Sequence, residues 1–146
     1  MGGRVRTHPR GGDGRNGGTL ARLILDSGAV LALVHGDGRV AAALRTAQLQ
    51  GSEVIVPAVV VAQTIRGGRR DAAIYRLLHA VRVSFVGVRL ARVAGELLVM
   101  SGLSDAVDAL VMAEALRNPP AVLLTGDPDD MTRLAASRPG VRIVPV

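Results

Sequence analysis

Five short apolar runs break up this chain: LARLILD (20–26), EVIVP (53–57), VSFVGV (83–88), AVLLT (121–125) and VRIVPV (141–146). Their length and their Val, Ile and Leu content suit buried strands. Stretches of helical spacing lie between them. SGAVLALVHG (27–36) and DGRVAAALRTAQLQ (37–50) follow the first run. AVVVAQTIR (58–66) starts after Pro57 and ends at Gly67-Gly68, a usable helix start and stop despite its β-branched content. Residues 71–81, 90–101 and 128–137 read as further helices, and Ser104 as the N-cap of another that begins SDAVDALVMAEAL. Strands alternating with helices imply an α/β fold of three layers: a mainly parallel central sheet with helices on both faces.

Composition narrows the function. Residues 1–19 are rich in Gly and Arg, without apolar periodicity, and read as a disordered tail ahead of one domain over 20–146. The chain has no cysteine, which excludes thiolate zinc sites, cysteine nucleophiles and disulfides. One Phe and one Tyr cannot build the stacking platforms of common RNA-binding modules. The net charge of +6 is carried by arginine alone and suits a polyanionic partner, though part of it sits in the tail. No apolar run reaches the roughly 18–20 residues of a membrane span. The N-terminus lacks the apolar core of a secretory signal, so the expected location is the cytoplasm, with no membrane partner.

The acidic residues fall where such folds bind ligands. Parallel sheets bind at the carboxyl ends of their strands. Asp26 closes the first strand, Asp127 lies just past AVLLT in the turn TGDPDD, and Asp108 lies near the start of its helix. Carboxylates gathered there repel one another unless a cation intervenes. An all-oxygen ligand set suits Mg²⁺ or Mn²⁺, which activates water and stabilises a leaving oxygen in phosphodiester cleavage.

LILDSGAVLAL, VIVPAVVVAQTIRGG, SDAVDALVMAEAL and LLTGDPDDMTRL, in this order, resemble the PIN-domain ribonucleases of the VapC toxin type. The resemblance covers about residues 20–146. It implies a PIN-like fold and a Mg²⁺- or Mn²⁺-dependent endoribonuclease acting on structured RNA such as tRNA or ribosomal RNA. It further implies a cognate antitoxin partner and a homodimer. Carried over by position, Asp26, Asp108 and Asp127 are the metal-binding carboxylates and Thr125 helps line the site. Asp105 matches an extra acidic position in one group of these proteins; Asp129 and Asp130 compete for a supporting role, with Asp130 the closer match. Most members carry Glu where this chain has Gln63. The site is therefore either a degenerate one that binds RNA or a protein without cleaving, or one in which Asp105 supplies the missing charge. The second reading makes Asp26, Asp105, Asp108 and Asp127 the catalytic set.

The remaining polar residues read more plainly. Arg66, Arg69 and Arg70 are candidates for contact with RNA phosphates. His35 and His79 stand alone and read as structural, Glu53, Glu96 and Glu114 as surface charge, and Met100 and Met112 as core. A phosphoaspartyl enzyme is disfavoured: Gly28 stands where a second Asp belongs, and the chain has no lysine.

Overall fold

The computed structural model describes residues 20–146; the tail expected over 1–19 lies outside them. In chain order the elements are β1 (Arg22–Leu25), α1 (Ser27–Val34), α2 (Gly38–Leu49), β2 (Val54–Pro57), α3 (Ala58–Thr64) and α4 (Asp71–Ala80). They continue with β3 (Arg82–Ser84), α5 (Val88–Ser101), α6 (Ala106–Arg117), β4 (Ala121–Thr125), α7 (Pro128–Ala135) and β5 (Val141–Pro145). The strands form one sheet in the order β3-β2-β1-β4-β5, and every neighbouring pair is parallel.

The expected three layers are present. α1, α2 and α4 pack together on one side, and α5, α6 and α7 on the other. Each crossover between parallel strands turns the same way, so the layers follow from the strand order. α3 touches both layers, packing on α1 and on α6. The central strands bury side chains on both faces, with Ile24, Leu25, Ile55, Val56 and Leu123 sealed from solvent. Burial of each such side chain is worth roughly 1.5–3 kcal/mol. α6 is buried on most of its circumference through Ala109, Val111, Met112, Ala113 and Ala115, whose small side chains let it lie close to its neighbours. No helix among the described residues is long and apolar enough to cross a membrane.

Five expectations need correction. VSFVGV is a strand only as far as Ser84, because β3 is an edge strand paired with β2 alone and the chain leaves it to begin the crossover. Phe85 therefore stands 82% exposed, and α5 starts at Val88 rather than Leu90. Met112 is core, but Met100 is 62% exposed near the end of α5. The N-cap of the following helix is Asp105, not Ser104. Glu114 is not surface charge: it is 1% exposed and pairs with Arg22 at 3.2 Å and Arg117 at 3.5 Å. Arg22 also donates to the carbonyls of Glu114, Ala115 and Asn118, satisfying the open end of α6.

Candidate metal centre

β1 and β4 are neighbours whose onward connections run to opposite sides of the sheet. Such a reversal of strand order opens a crevice at the strand carboxyl ends. The turn after β1 and the turn after β4 meet there. A Cβ on Gly28 would lie 2.8 Å from the backbone of Gly126, so only glycine permits this approach.

Asp26 joins the two turns. One carboxylate oxygen accepts the Ala29 N–H at 2.8 Å and caps α1; the other accepts the Gly126 N–H at 3.2 Å. The side chain is 4% exposed. Burial raises its pKa, opposed by hydrogen bonds from the Thr125 hydroxyl and from backbone amides. Thr125, itself fully buried, also accepts the Asp127 N–H at 2.9 Å. It thus holds both acids in place.

Asp105 and Asp127 are caps as well. Asp105 accepts from Val107 and Asp108 at 2.9 and 3.0 Å, and Asp127 from Asp130 at 3.2 Å. Three helices, α1, α6 and α7, therefore begin at aspartates around one crevice. Their positive dipole ends offset part of the repulsion among the acids and favour an anionic ligand.

Asp108, Asp127 and Asp130 each bring a carboxylate oxygen within 4.8 Å of the others. Among the described residues no other three acids come this close, and the group includes Asp130, which the sequence offers only as a supporting residue. Asp26 lies behind it, near enough to act on Asp108 through its charge. Asp108 is pushed up to about 6, first by burial and then by the charges of Asp105, Asp26, Asp127 and Asp130. A group of hard oxygen donors with this much unrelieved negative charge fits a divalent cation.

Gln63 lies on α3, the helix that packs on both α1 and α6. Its amide oxygen is buried without a hydrogen-bond partner. Among the candidate RNA contacts, the Arg66 guanidinium folds back onto the carbonyls of Ala62 and Ile65, Arg70 meets His35 at 2.9 Å, and Arg69 is exposed. The sequence reading missed Asp71. It is buried at the start of α4 and accepts the Arg66 and Gly67 N–H groups at 3.3 and 2.7 Å. It fixes the arginine loop, in which Gly67 and Gly68 have φ of 83° and 106°. An Asp closing a Gly-Gly turn was the available signal.

A family model for the PIN domain matches residues 23–137, and the chain belongs to the PIN-domain family. The fold is shared with solved structures at low identity. One is VapBC2 from Rickettsia felis bound to a DNA fragment from its promoter: TM-score 0.66, 14% identity, covering 85% of this chain and 98% of that one. A second is DNA-bound VapBC from Salmonella typhimurium: TM-score 0.65, 15% identity, 86% and 98% covered. A third is FitAcB from Neisseria gonorrhoeae: TM-score 0.60, 17% identity, 83% and 95% covered. No curated protein matches the sequence.

Proposed function

We propose that the protein is a Mg²⁺- or Mn²⁺-dependent endoribonuclease, the toxin of a VapBC-type toxin–antitoxin pair, acting on structured RNA such as tRNA or ribosomal RNA. The observation that carries this is the Asp108–Asp127–Asp130 cluster at the point where strand order reverses. A divalent cation bound there supplies Lewis-acid charge and activated water for phosphodiester hydrolysis. Asp108, Asp127 and Asp130 are its ligands in this reading. Asp26 adds charge from behind and holds the two turns together, with Thr125 fixing its orientation. Asp105 presets the first turn of α6, which aims Asp108, and keeps the local potential negative. The buried Gln63 oxygen is a neutral donor where most family members carry Glu. Arg66, Arg69 and Arg70 take RNA phosphates, the likeness to VapBC complexes supports a cognate antitoxin, and the protein pairs with a second copy of itself.

A second reading is a PIN module that binds RNA or a protein without cutting, and Gln63 is the residue that favours it. Incubation of total tRNA and ribosomal RNA with the purified protein in Mg²⁺, Mn²⁺ or EDTA separates the two. Discrete fragments that need metal and vanish in Asp108→Asn are expected. Intact RNA under all conditions, from folded protein free of antitoxin, would establish the binding module instead.

A further inference from the structure

Arginines gather a second time, at the opposite end of α6 from Asp108. A cavity of about 630 Å³ opens there, lined by Arg82, Arg89, Arg117, Arg138, Phe85 and Asn118 together with aliphatic side chains. α6 has 12 residues, so the two ends lie about 18 Å apart at 1.5 Å per residue. No acidic side chain lines the cavity. Arg82 is paired with Glu53, and Arg117 shares Glu114 with Arg22. Among the described residues Arg89 and Arg138 have no carboxylate partner, and the Arg138 guanidinium meets only the Met100 sulfur at 3.7 Å. Gly87, also in the lining, starts α5 with no side-chain cap, so the first-turn N–H groups add to the positive field.

Phe85 gives the cavity its second character. It is the only Phe in the chain, and it is 82% exposed among these arginines. An aromatic ring left in water gains nothing for folding. A ring beside unpaired guanidinium groups is the combination that seats single-stranded nucleic acid: cations for phosphates, a flat apolar face for a base. An acidic peptide would use the arginines and leave the ring idle.

We propose that this cavity is a second RNA seat, in which Arg89, Arg117 and Arg138 hold backbone phosphates and Phe85 stacks an unpaired base. The proposal rests on the reading of RNA as substrate and adds a contact remote from the carboxylates. It gives the protein a means of choosing among RNAs by the strand that flanks the cleaved loop.

Fluorescence anisotropy with a fluorescein-labelled single-stranded oligoribonucleotide of mixed sequence, in EDTA, tests it without cleavage. Arg89→Glu combined with Arg138→Glu is expected to raise Kd at least tenfold and to flatten the salt dependence. Loss of two phosphate contacts lowers the log–log slope by about 1.4. Phe85→Ala is expected to raise Kd roughly fivefold or more while leaving the slope unchanged. Arg89→Glu alone, at an exposed residue, should move Kd in the same direction. Gly38→Ala, on α2 and outside the cavity lining, should bind as the wild type does. Unchanged Kd and slope in the arginine and Phe85 variants would overturn the proposal, as would displacement of the RNA by poly-glutamate that is insensitive to Phe85→Ala. A protein that loses RNA in these variants yet cuts none would retain the seat and lose the nuclease reading; cutting with unaltered binding would do the reverse.

Discussion

Asp108 is where sequence and electrostatics meet most directly. In the metal-free chain its pKa is pushed up to about 6, against an unfolded value near 3.9. The folded protein therefore holds the proton more tightly than the unfolded chain between those values. This stabilising contribution is complete below about pH 4 and is lost as pH rises through about 6. Asp26 is raised as well and acts in the same direction. We expect the metal-free melting temperature to lose this contribution between pH 4 and 6.5, and Asp108→Asn to melt higher than wild type at pH 7.5. Mn²⁺ should raise the wild-type melting point at pH 7.5 and do so less at pH 5, because proton and cation compete for the same oxygens. Thermal melts across pH, with and without Mn²⁺, check this; an Asp108→Asn variant with the full Mn²⁺ shift would place the cation elsewhere. Gln63 makes a sharper case. Its buried oxygen has no partner, a defect worth about 1–3 kcal/mol in the metal-free protein. Gln63→Leu should therefore melt no lower than wild type while binding Mn²⁺ about tenfold more weakly by calorimetry. Equal Mn²⁺ affinity would make Gln63 a packing residue.

At the scale of the elements, β1 and α6 are tied by the Arg22–Glu114 pair. Arg22→Met leaves the buried Glu114 with only the longer Arg117 contact at 3.5 Å, so it should cost about 3 kcal/mol in urea unfolding. Arg22→Met with Glu114→Leu should recover more than half of that, since no buried charge remains and the Arg117 left without Glu114 is exposed to solvent. It should not recover all, because the guanidinium also serves three carbonyls at the end of α6. A double variant no more stable than the single one would mean that this capping, rather than the ion pair, dominates. The pair also shows what was legible in the chain. The strands and helices were, because apolar runs and helical spacing change over at Gly, Pro and Asp. The pair was not read, since Glu114 passed as surface charge, although an Arg inside LARLILD and a Glu flanked by Ala113 and Ala115 are each charges in apolar surroundings. What could not be read was that they face one another, which depends on α6 lying against β1. The length of β3 was equally hidden. Val, Phe and Val suit a strand, but an edge strand ends where the crossover to the next helix must begin.

At the scale of the whole molecule, the site exists because the strand order reverses between β1 and β4. Strand-end positions made it readable that Asp108 and Asp127 would lie at one edge of the sheet, where both belong to the cluster. The choice between Asp105 and Asp130 was not, since both lie within three residues of an expected ligand. Asp105 lies outside the cluster, whereas Asp130 reaches it through the packing of α7 on α6. That distinction is tertiary and has no local signal. The crevice itself depends on the contact between Gly28 and Gly126. A Cβ at Gly28 would meet backbone atoms of Gly126 at 2.8 Å and the Asp26 carboxylate at 3.3 Å, with no flexible side chain to yield. Gly28→Ala should thus spread the two turns, break the Gly126–Asp26 hydrogen bond and destabilise the fold by about 1–3 kcal/mol. Because Asp26 and Asp127 sit on the separated turns, Mn²⁺ affinity should fall together with stability. Gly38→Ala, in the first turn of α2, meets nothing within 4 Å and serves as the control. It should be neutral or stabilise by up to about 1 kcal/mol through the unfolded chain. Urea unfolding and Mn²⁺ titration of both variants decide the matter: a Gly28→Ala protein as stable and as metal-avid as Gly38→Ala would show that the halves of the sheet need not touch for the carboxylates to meet.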